Sequence, residues 1–131
     1  MKKQNGSARQ HNQARLGPEL PDRPELERAS AMFQALGDSA RLRLLARLSS
    51  GEACVTELAE VEGEKLTTVS ARLKTLHDVR LVKRRREAKH IYYSLSDFHV
   101  LHLVESAVEH AAEPQTTQAC PKPRTKKGNR L

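Results

Sequence analysis

The sequence predicts a mainly α-helical domain that carries one small β-hairpin. Apolar residues recur at helical spacing through most of the central part of the chain. From Leu81 onward the pattern changes to two short β-prone runs around a polar turn, which is typical of a hairpin. Two short helices joined by a tight glycine-containing turn directly precede it. We therefore expect a winged helix-turn-helix that dimerises through terminal helices.

Composition and charge limit the function classes. The chain has 131 residues, is 37% hydrophobic and has no tryptophan, so we expect one domain with a small core. It has no long apolar run, which predicts no membrane partner and a cytoplasmic location. Two cysteines are too few for a disulfide framework. The net charge is +7, and Lys65 to His90 holds nine Lys and Arg against two acids, which suits a polyanionic partner.

The chain is expected to divide into three parts. Residues 1–22 are polar and contain several Gly and Pro, which predicts a disordered basic arm. Residues 23–113 are expected to form the winged-helix DNA-binding and dimerisation domain. Residues 114–131 have basic side chains, no acid and no apolar period, which predicts a disordered basic tail.

Three helices are expected before the glycine-containing turn at residues 62–64. The first runs from Pro24 to about Leu36, the second follows Asp38 as its cap, and the third spans about 55–61. The apolar residues expected to face inward on them are Leu26, Met32, Phe33, Leu36, Leu42, Leu44, Leu45, Leu48, Val55, Leu58 and Ala59.

The next helix, from about Leu66 to Asp78, is the candidate recognition helix. Val69, Leu73 and Leu76 are spaced to pack inward, and the other face shows short hydroxyls and long cations that suit base edges and phosphates in a major groove. The hairpin that follows carries four consecutive cations, which indicates a wing on a phosphate backbone or, alternatively, edge protection of an exposed strand. The candidate DNA-binding residues are Lys65, Thr67, Thr68, Ser70, Arg72, Lys74, Arg84, Arg85, Arg86, Lys89 and His90.

The last helical segment, Ser96 to Glu113, has candidate metal ligands at both ends: Asp97 and His99, then His110 and Glu113. On one helix the two imidazoles would lie about 16 Å apart, whereas metal–ligand bonds are about 2 Å long. Two antiparallel copies would join opposite ends, and we expect an apolar stripe of Leu101, Val104, Val108 and Ala111 to be buried between them. Each site would offer two imidazoles and two carboxylates, which suit zinc (Zn2+) or cobalt(II).

Four segments of this sequence resemble the ArsR/SmtB family of bacterial winged-helix repressors: ALGDSARLRLLARL, EACVTELA, VSARLKTL and IYYSL. The resemblance covers about residues 25–113. The terminal helix is similar to that of the zinc-sensing branch, in which Asp-x-His and His-x-x-Glu from opposite subunits form the inhibitory site. The resemblance implies a homodimer that represses a metal efflux or sequestration gene and releases its operator when a divalent metal inducer binds.

Other features of the family match less well. A second family metal site uses the cysteine of the EACV segment, which points to His11, Cys54 and Glu57 here, although a buried structural Cys54 is the alternative. Lys65-Leu66 stands where the family often has Ser or Thr at the start of the recognition helix. Ala88-Lys89 stands where the wing turn usually has Gly before a basic residue.

The leading hypothesis is a zinc-responsive repressor that binds double-stranded operator DNA at an inverted repeat. One alternative is a thiol- or persulfide-responsive repressor that uses Cys54 and Cys120. Another is a constitutive architectural DNA-binding protein whose terminal helix only dimerises. An enzyme is not expected, because no nucleophile is paired with a base and a four-ligand metal site leaves no open position for substrate.

Overall fold

The computed structural model describes residues 19–115, which form five helices and a three-stranded antiparallel sheet. In chain order the elements are α1 (Arg23–Leu36), α2 (Ser39–Leu48), β1 (Ala53–Cys54), α3 (Val55–Glu62), α4 (Leu66–Asp78), β2 (Val82–Glu87), β3 (His90–Leu95) and α5 (Phe98–Ala112). The mainly helical winged helix-turn-helix is thus confirmed, and only the short strand β1 was not predicted. No helix within 19–115 is long and apolar enough to cross a membrane.

Local signals set the ends of these helices. The Asp38 carboxylate accepts a hydrogen bond from the Arg41 amide at 2.9 Å and so caps α2. The Asp97 carboxylate accepts one from the Val100 amide at 3.1 Å and caps α5. At the end of α3, Gly63 has a φ of 66°, a left-handed conformation that glycine adopts without strain. This glycine turns the chain from α3 into α4.

The sheet has the strand order β1-β3-β2, so β3 is central. In the hairpin, Glu87 pairs with His90 around the two-residue turn Ala88-Lys89, where Ala88 has a positive φ of 56°. On the other edge Cys54 pairs with Tyr92. Paired residues in an antiparallel ladder have side chains on the same face, so this register decides which wing cations share a face.

The core is centred on α4, the candidate recognition helix. Val69, Leu73 and Leu76 are 0% exposed, as predicted, and they pack in one cluster with Leu45 of α2, which is also 0% exposed. Because interiors pack at crystal-like density, α4 is held rigidly against the body of the domain. The opposite face of α4 is thereby presented to solvent.

Two sets of apolar residues differ from expectation. Leu26 and Phe33 of α1 are 42% and 61% exposed, so the prediction that they face inward is wrong for a single chain. In α5, Val104 is 3% exposed and joins the chain's own core together with Val100, whereas Val108 is 48% exposed. The predicted stripe on α5 is therefore divided, because one part of it already has a partner within the subunit.

Deleting the centre of the core should destabilise the domain strongly. We expect Leu73→Ala to lower the free energy of unfolding by about 2–5 kcal/mol, since it removes buried methyl groups and leaves a cavity. Urea unfolding at one fixed protein concentration measures the difference. Leu20→Ala, at a side chain that is 80% exposed, is the control and should change stability by less than about 0.5 kcal/mol.

Candidate metal and DNA-binding sites

Each end of α5 carries two of the predicted metal ligands close together. At its start the His99 Nδ1 lies 3.7 Å from the Asp97 Oδ1, and at its end the His110 Nδ1 lies 3.4 Å from the Glu113 Oε1. The histidine side chains are 96% and 86% exposed, so both pairs are open to solvent. The Asp97 Oδ1 caps the helix, which leaves its Oδ2 available to coordinate a metal ion. Each pair would supply half of the predicted four-ligand site.

The two pairs do not meet within one chain. Helical rise places His99 and His110 about 16 Å apart along the axis of α5. At about 100° per residue the separation is close to three full turns, so both imidazoles lie on the same face of the helix. Between residues 19 and 115 no group of three or more His, Cys, Asp or Glu side chains is placed to hold a metal ion. A complete site therefore requires ligands from a second chain.

The ligand face and the predicted apolar stripe are different faces of α5. The direction of Val100 and Val104, which are buried in the subunit, lies about 110° around the helix from the direction of the two imidazoles. Leu103 and Ser106 instead lie between His99 and His110 on the ligand face. The shared face that a two-fold helix pair needs is thus made by Leu103 and Ser106 rather than by Leu101 and Val104.

The second predicted metal site is only partly within the described residues. Cys54 is a free cysteine that is 7% exposed, and the Glu57 carboxylate accepts a hydrogen bond from the Cys54 amide at 2.9 Å. The two residues are neighbours at the start of α3, but Glu57 already acts there as a helix cap. His11 and Cys120 lie outside the described residues, as do most of the predicted arm and tail. The second site and the thiol pair stay predictions.

The candidate recognition helix presents most of its predicted DNA-binding residues to solvent. Lys65, Thr67, Ser70 and Lys74 are exposed, while Thr68 and Arg72 are half-buried. Arg72 Nη1 lies 3.5 Å from the Glu64 carboxylate in the turn, and Lys74 Nζ lies 3.4 Å from that of Asp78. A groove of about 170 Å³ separates the first turns of α4 from the wing tip, and Leu66, Ser70, Lys89, His90 and Ile91 are among its lining residues. The structure thus brings the start of the recognition helix and the wing tip together.

Strand alternation divides the arginines of the wing between two faces. Arg84 pairs with the buried Tyr93 and Arg86 pairs with Ile91, so these two share the inner face of the sheet. Arg85 pairs with Tyr92 and points to the outer face, where it forms ion pairs with Glu52 and Glu87. The three consecutive arginines are therefore not one cationic surface.

A clamp of charged residues joins α2 to the end of α3. Arg43 Nε donates to the Glu62 carboxylate at 2.7 Å, and Arg47 Nε donates to the same group. The Glu62 side chain is 9% exposed, and its hydrogen bonds with Arg43 and Arg47 lower the pKa of its carboxyl. Because Glu62 directly precedes Gly63, this clamp fixes the turn from which the recognition helix starts.

Comparison with known proteins decides the family. The family model for bacterial regulatory proteins of the arsR family matches residues 38–84, from the cap of α2 into β2. A transcriptional repressor SmtB homolog from Synechocystis sp. is 38% identical over 96 residues, which cover 73% of this chain and 73% of that protein. The chain belongs to the ArsR/SmtB family of metal-sensing repressors. The family is one of transcriptional regulators, which are not enzymes.

Two further relatives of this ArsR/SmtB protein add detail. A cadmium resistance regulatory protein, a CadC homolog from Staphylococcus aureus, is 40% identical over 83 residues, which cover 63% of this chain and 69% of that protein. The solution structure of a homodimeric winged helix-turn-helix DNA-binding domain from Mycobacterium bovis has a TM-score of 0.64 and 31% identity, covering 74% of this chain and 94% of that one. The fold is therefore that of DNA-binding domains in this family.

Sequence reasoning missed the long-range ion pairs of this ArsR/SmtB protein, including that of Arg85, a predicted DNA-binding residue. Glu62 lies 19 residues from Arg43, and Glu52 lies 33 residues from Arg85. No local spacing rule joins residues so far apart in the chain. Only the alternation of the sheet, which separates Arg85 from Arg84 and Arg86, could have been inferred from the β-pattern.

The Glu62 clamp should make stability depend on pH. Because the pKa of Glu62 is lowered in the folded state, its contribution is present above the unfolded value near 4.5 and is lost as the pH falls below it. We expect Glu62→Gln to lower the unfolding free energy by up to about 1 kcal/mol near pH 7. Urea unfolding from about pH 7 to about pH 3 should show this deficit shrinking.

Glu60→Gln is the matched control, since Glu60 is an exposed acid on the same helix with no ion pair among residues 19–115. It should leave stability nearly unchanged across that range. A deficit for Glu62→Gln that stayed constant as the pH fell would contradict an electrostatic clamp.

Proposed function

We propose that this protein is a zinc-responsive transcriptional repressor that binds operator DNA as a homodimer and releases it when metal occupies sites between the paired α5 helices. The observation that carries the proposal is the placement of two exposed half-sites, Asp97 with His99 and His110 with Glu113, on one face and at opposite ends of α5. Antiparallel pairing of two such helices assembles two complete sites from four half-sites.

Exposed apolar surface supports the second subunit. On α1, Leu26 and Phe33 are 42% and 61% exposed and seven residues apart, so they lie on one helical face. An exposed apolar patch on one helical face is typical of a surface that a partner covers. The solved relative from Mycobacterium bovis is homodimeric, which supports a second subunit.

The donor set supports the choice of metal. Each assembled site would consist of two imidazole nitrogens and two carboxylates, whose two negative charges balance a divalent cation. Zinc accepts four such ligands in tetrahedral geometry, and cobalt(II) takes similar ones. Cadmium, which is named for the Staphylococcus aureus relative, is the competitor to test, although none of the four ligands is a thiolate.

The chain also provides a connection from the metal ligands to the recognition helix. Ser96, next to Asp97, donates from its hydroxyl to the Arg80 carbonyl at 2.8 Å and from its amide to the Leu81 carbonyl at 3.1 Å. Arg80 and Leu81 lie between the end of α4 and the start of β2. A metal ion that fixed the position of Asp97 would therefore also restrict the junction between the recognition helix and the wing.

DNA contacts are proposed from the residues exposed on the inner side of the wing and on the free face of α4. Thr67, Thr68, Ser70 and Arg72 would read base edges near the start of the recognition helix, and the cations would contact phosphates. The proposed phosphate contacts are Lys65, Lys74, Arg84, Arg86, Lys89 and His90. Two-fold symmetry of the homodimer requires an inverted-repeat operator.

The switch is tested by adding zinc to a preformed complex. The wild-type protein should release an operator duplex when zinc is added and rebind it after chelation. His99→Ala and His110→Ala should bind the duplex with wild-type affinity and should not release it when zinc is added, because each variant loses a ligand from both sites. Fluorescence anisotropy at one salt concentration measures the affinities, and we expect about 5- to 150-fold weakening by zinc in the wild type alone.

His102→Ala is the control, since His102 is an exposed imidazole of α5 outside the proposed set and should respond like the wild type. Cobalt(II) and cadmium added in parallel rank the metals. If the wild-type protein held its operator equally well with zinc bound, the ions would be structural and the sensor function would fall.

Sharing of ligands between subunits has its own test. In a mixed dimer of His99→Ala and His110→Ala subunits, one site lacks both imidazoles while the other keeps all four ligands. Each variant alone should lose tight binding, and the purified mixed dimer should bind one zinc ion, half of the wild-type stoichiometry. Zinc titration against a competing chelator, on dimers with differently tagged subunits, measures this. Tight binding by a monomer would contradict the shared site.

A further inference from the structure

One arginine of the wing is already fully engaged within its own subunit. Arg85 forms a two-pronged ion pair with Glu52, with 2.8 Å from Nε to Oε2 and 2.8 Å from Nη2 to Oε1. Its third nitrogen, Nη1, donates to the Glu87 carboxylate at 2.6 Å. The guanidinium carbon also lies 4.6 Å from the centre of the Tyr92 ring, at cation–π distance.

This cluster spans the width of the sheet. Arg85 is on β2, Tyr92 is opposite it on the central strand β3, and Glu52 directly precedes β1 on the far edge. Neighbouring strands lie about 4.8 Å apart, so the side chains of Arg85 and Glu52 together bridge about 10 Å, over the Tyr92 ring. Arginine has both the length and the planar fork for this, whereas lysine would keep only one of the donors.

Apart from its pairing with β3, strand β2 has little else to fix its orientation. After Val82 every residue of β2 is exposed, so residues 83–87 do not belong to the buried core. The proposed phosphate contacts Arg84 and Arg86 project from the face opposite to Arg85. A tie on the outer face therefore determines where the inner face points.

We propose that Arg85 is a positioning residue, which the Glu52 carboxylate and the Tyr92 ring hold so that Arg84 and Arg86 face the DNA. This inference rests on the DNA-binding function proposed above and goes beyond it by separating one arginine of the run from its neighbours. Glu52 then strengthens DNA binding although it is an acid.

The competing reading is that Arg85 itself binds a phosphate. In that case its guanidinium would have to give up both carboxylates and the Tyr92 ring, because all three of its nitrogen atoms already donate hydrogen bonds. The two readings predict opposite signs for the loss of Glu52. Removing a negative charge beside a DNA-binding wing strengthens binding by simple electrostatics, whereas removing the anchor of a positioning residue weakens it.

The experiment measures affinity and salt dependence for a duplex selected from random sequence by the wild-type protein. We expect Glu52→Gln and Arg85→Ala each to weaken binding by about fivefold, the scale of one partly exposed ion pair. Neither should change the slope of log affinity against log salt by as much as one phosphate contact. Arg84→Ala is the positive control and should reduce that slope by about 0.9.

Further variants separate positioning from misfolding. Glu60→Gln removes an equal charge from α3 and should not weaken binding, and the charge-reversed pair Glu52→Arg with Arg85→Glu should restore part of the affinity lost in either single change. Circular dichroism melting shows whether each variant is folded, and amide exchange in residues 83–87 should speed up in Glu52→Gln.

Several outcomes would overturn the assignment. They are an unchanged or higher affinity of Glu52→Gln, a loss of about 0.9 in slope for Arg85→Ala, or an unchanged amide exchange in the wing. If instead the wild-type protein selected no DNA at all, the proposed function would fail first. Selection of a duplex by the wild type together with a neutral Glu52→Gln would overturn only the positioning role.

Discussion

The reach of a metal–ligand bond, about 2 Å, is the constraint on which the functional interpretation depends. Helix α5 is 15 residues long, and its length keeps His99 and His110 far beyond that reach. A helix is stiff, so one chain cannot bring the two imidazoles together, and only another copy could complete the proposed half-sites. Under the proposed function, metal binding, dimerisation and the relative position of two recognition helices are one linked equilibrium.

Helix α5 has two functional faces. One holds Val100 and Val104 in the core, and the other, about 110° around the helix, presents the proposed ligands with Leu103 and Ser106. Val108 lies one turn beyond Val104 on nearly the same side, and it is exposed there. The predicted stripe and the proposed ligands were assigned to one interface because constant sums of residue numbers test antiparallel pairing but not helical direction. Angular spacing along the helix was already present in the sequence and would have separated the stripe from the imidazoles.

The elements of the fold could be predicted almost to the residue, since caps and periodicity are local. Asp38, Gly63 and Asp97 act on backbone groups within a few residues of themselves. The proximity of His99 to Asp97 and of His110 to Glu113 was predictable for the same reason. The contacts of Glu52 and Glu62 were not, because they depend on how helices and strands pack, and no pattern along the chain encodes that.

Carboxylates that pair with the cations reduce the positive charge that residues 65–90 can offer to DNA. Of the nine Lys and Arg between Lys65 and His90, the structure pairs Arg72, Lys74 and Arg85 with carboxylates. Exposed pairs such as that of Lys74 with Asp78 are weak and can yield to a phosphate. The Arg85 pair is two-pronged and rests on a ring, so exchanging it for a phosphate returns little free energy. Fewer cations are therefore free to displace counterions than the sequence suggests, and the acids next to them decide which ones.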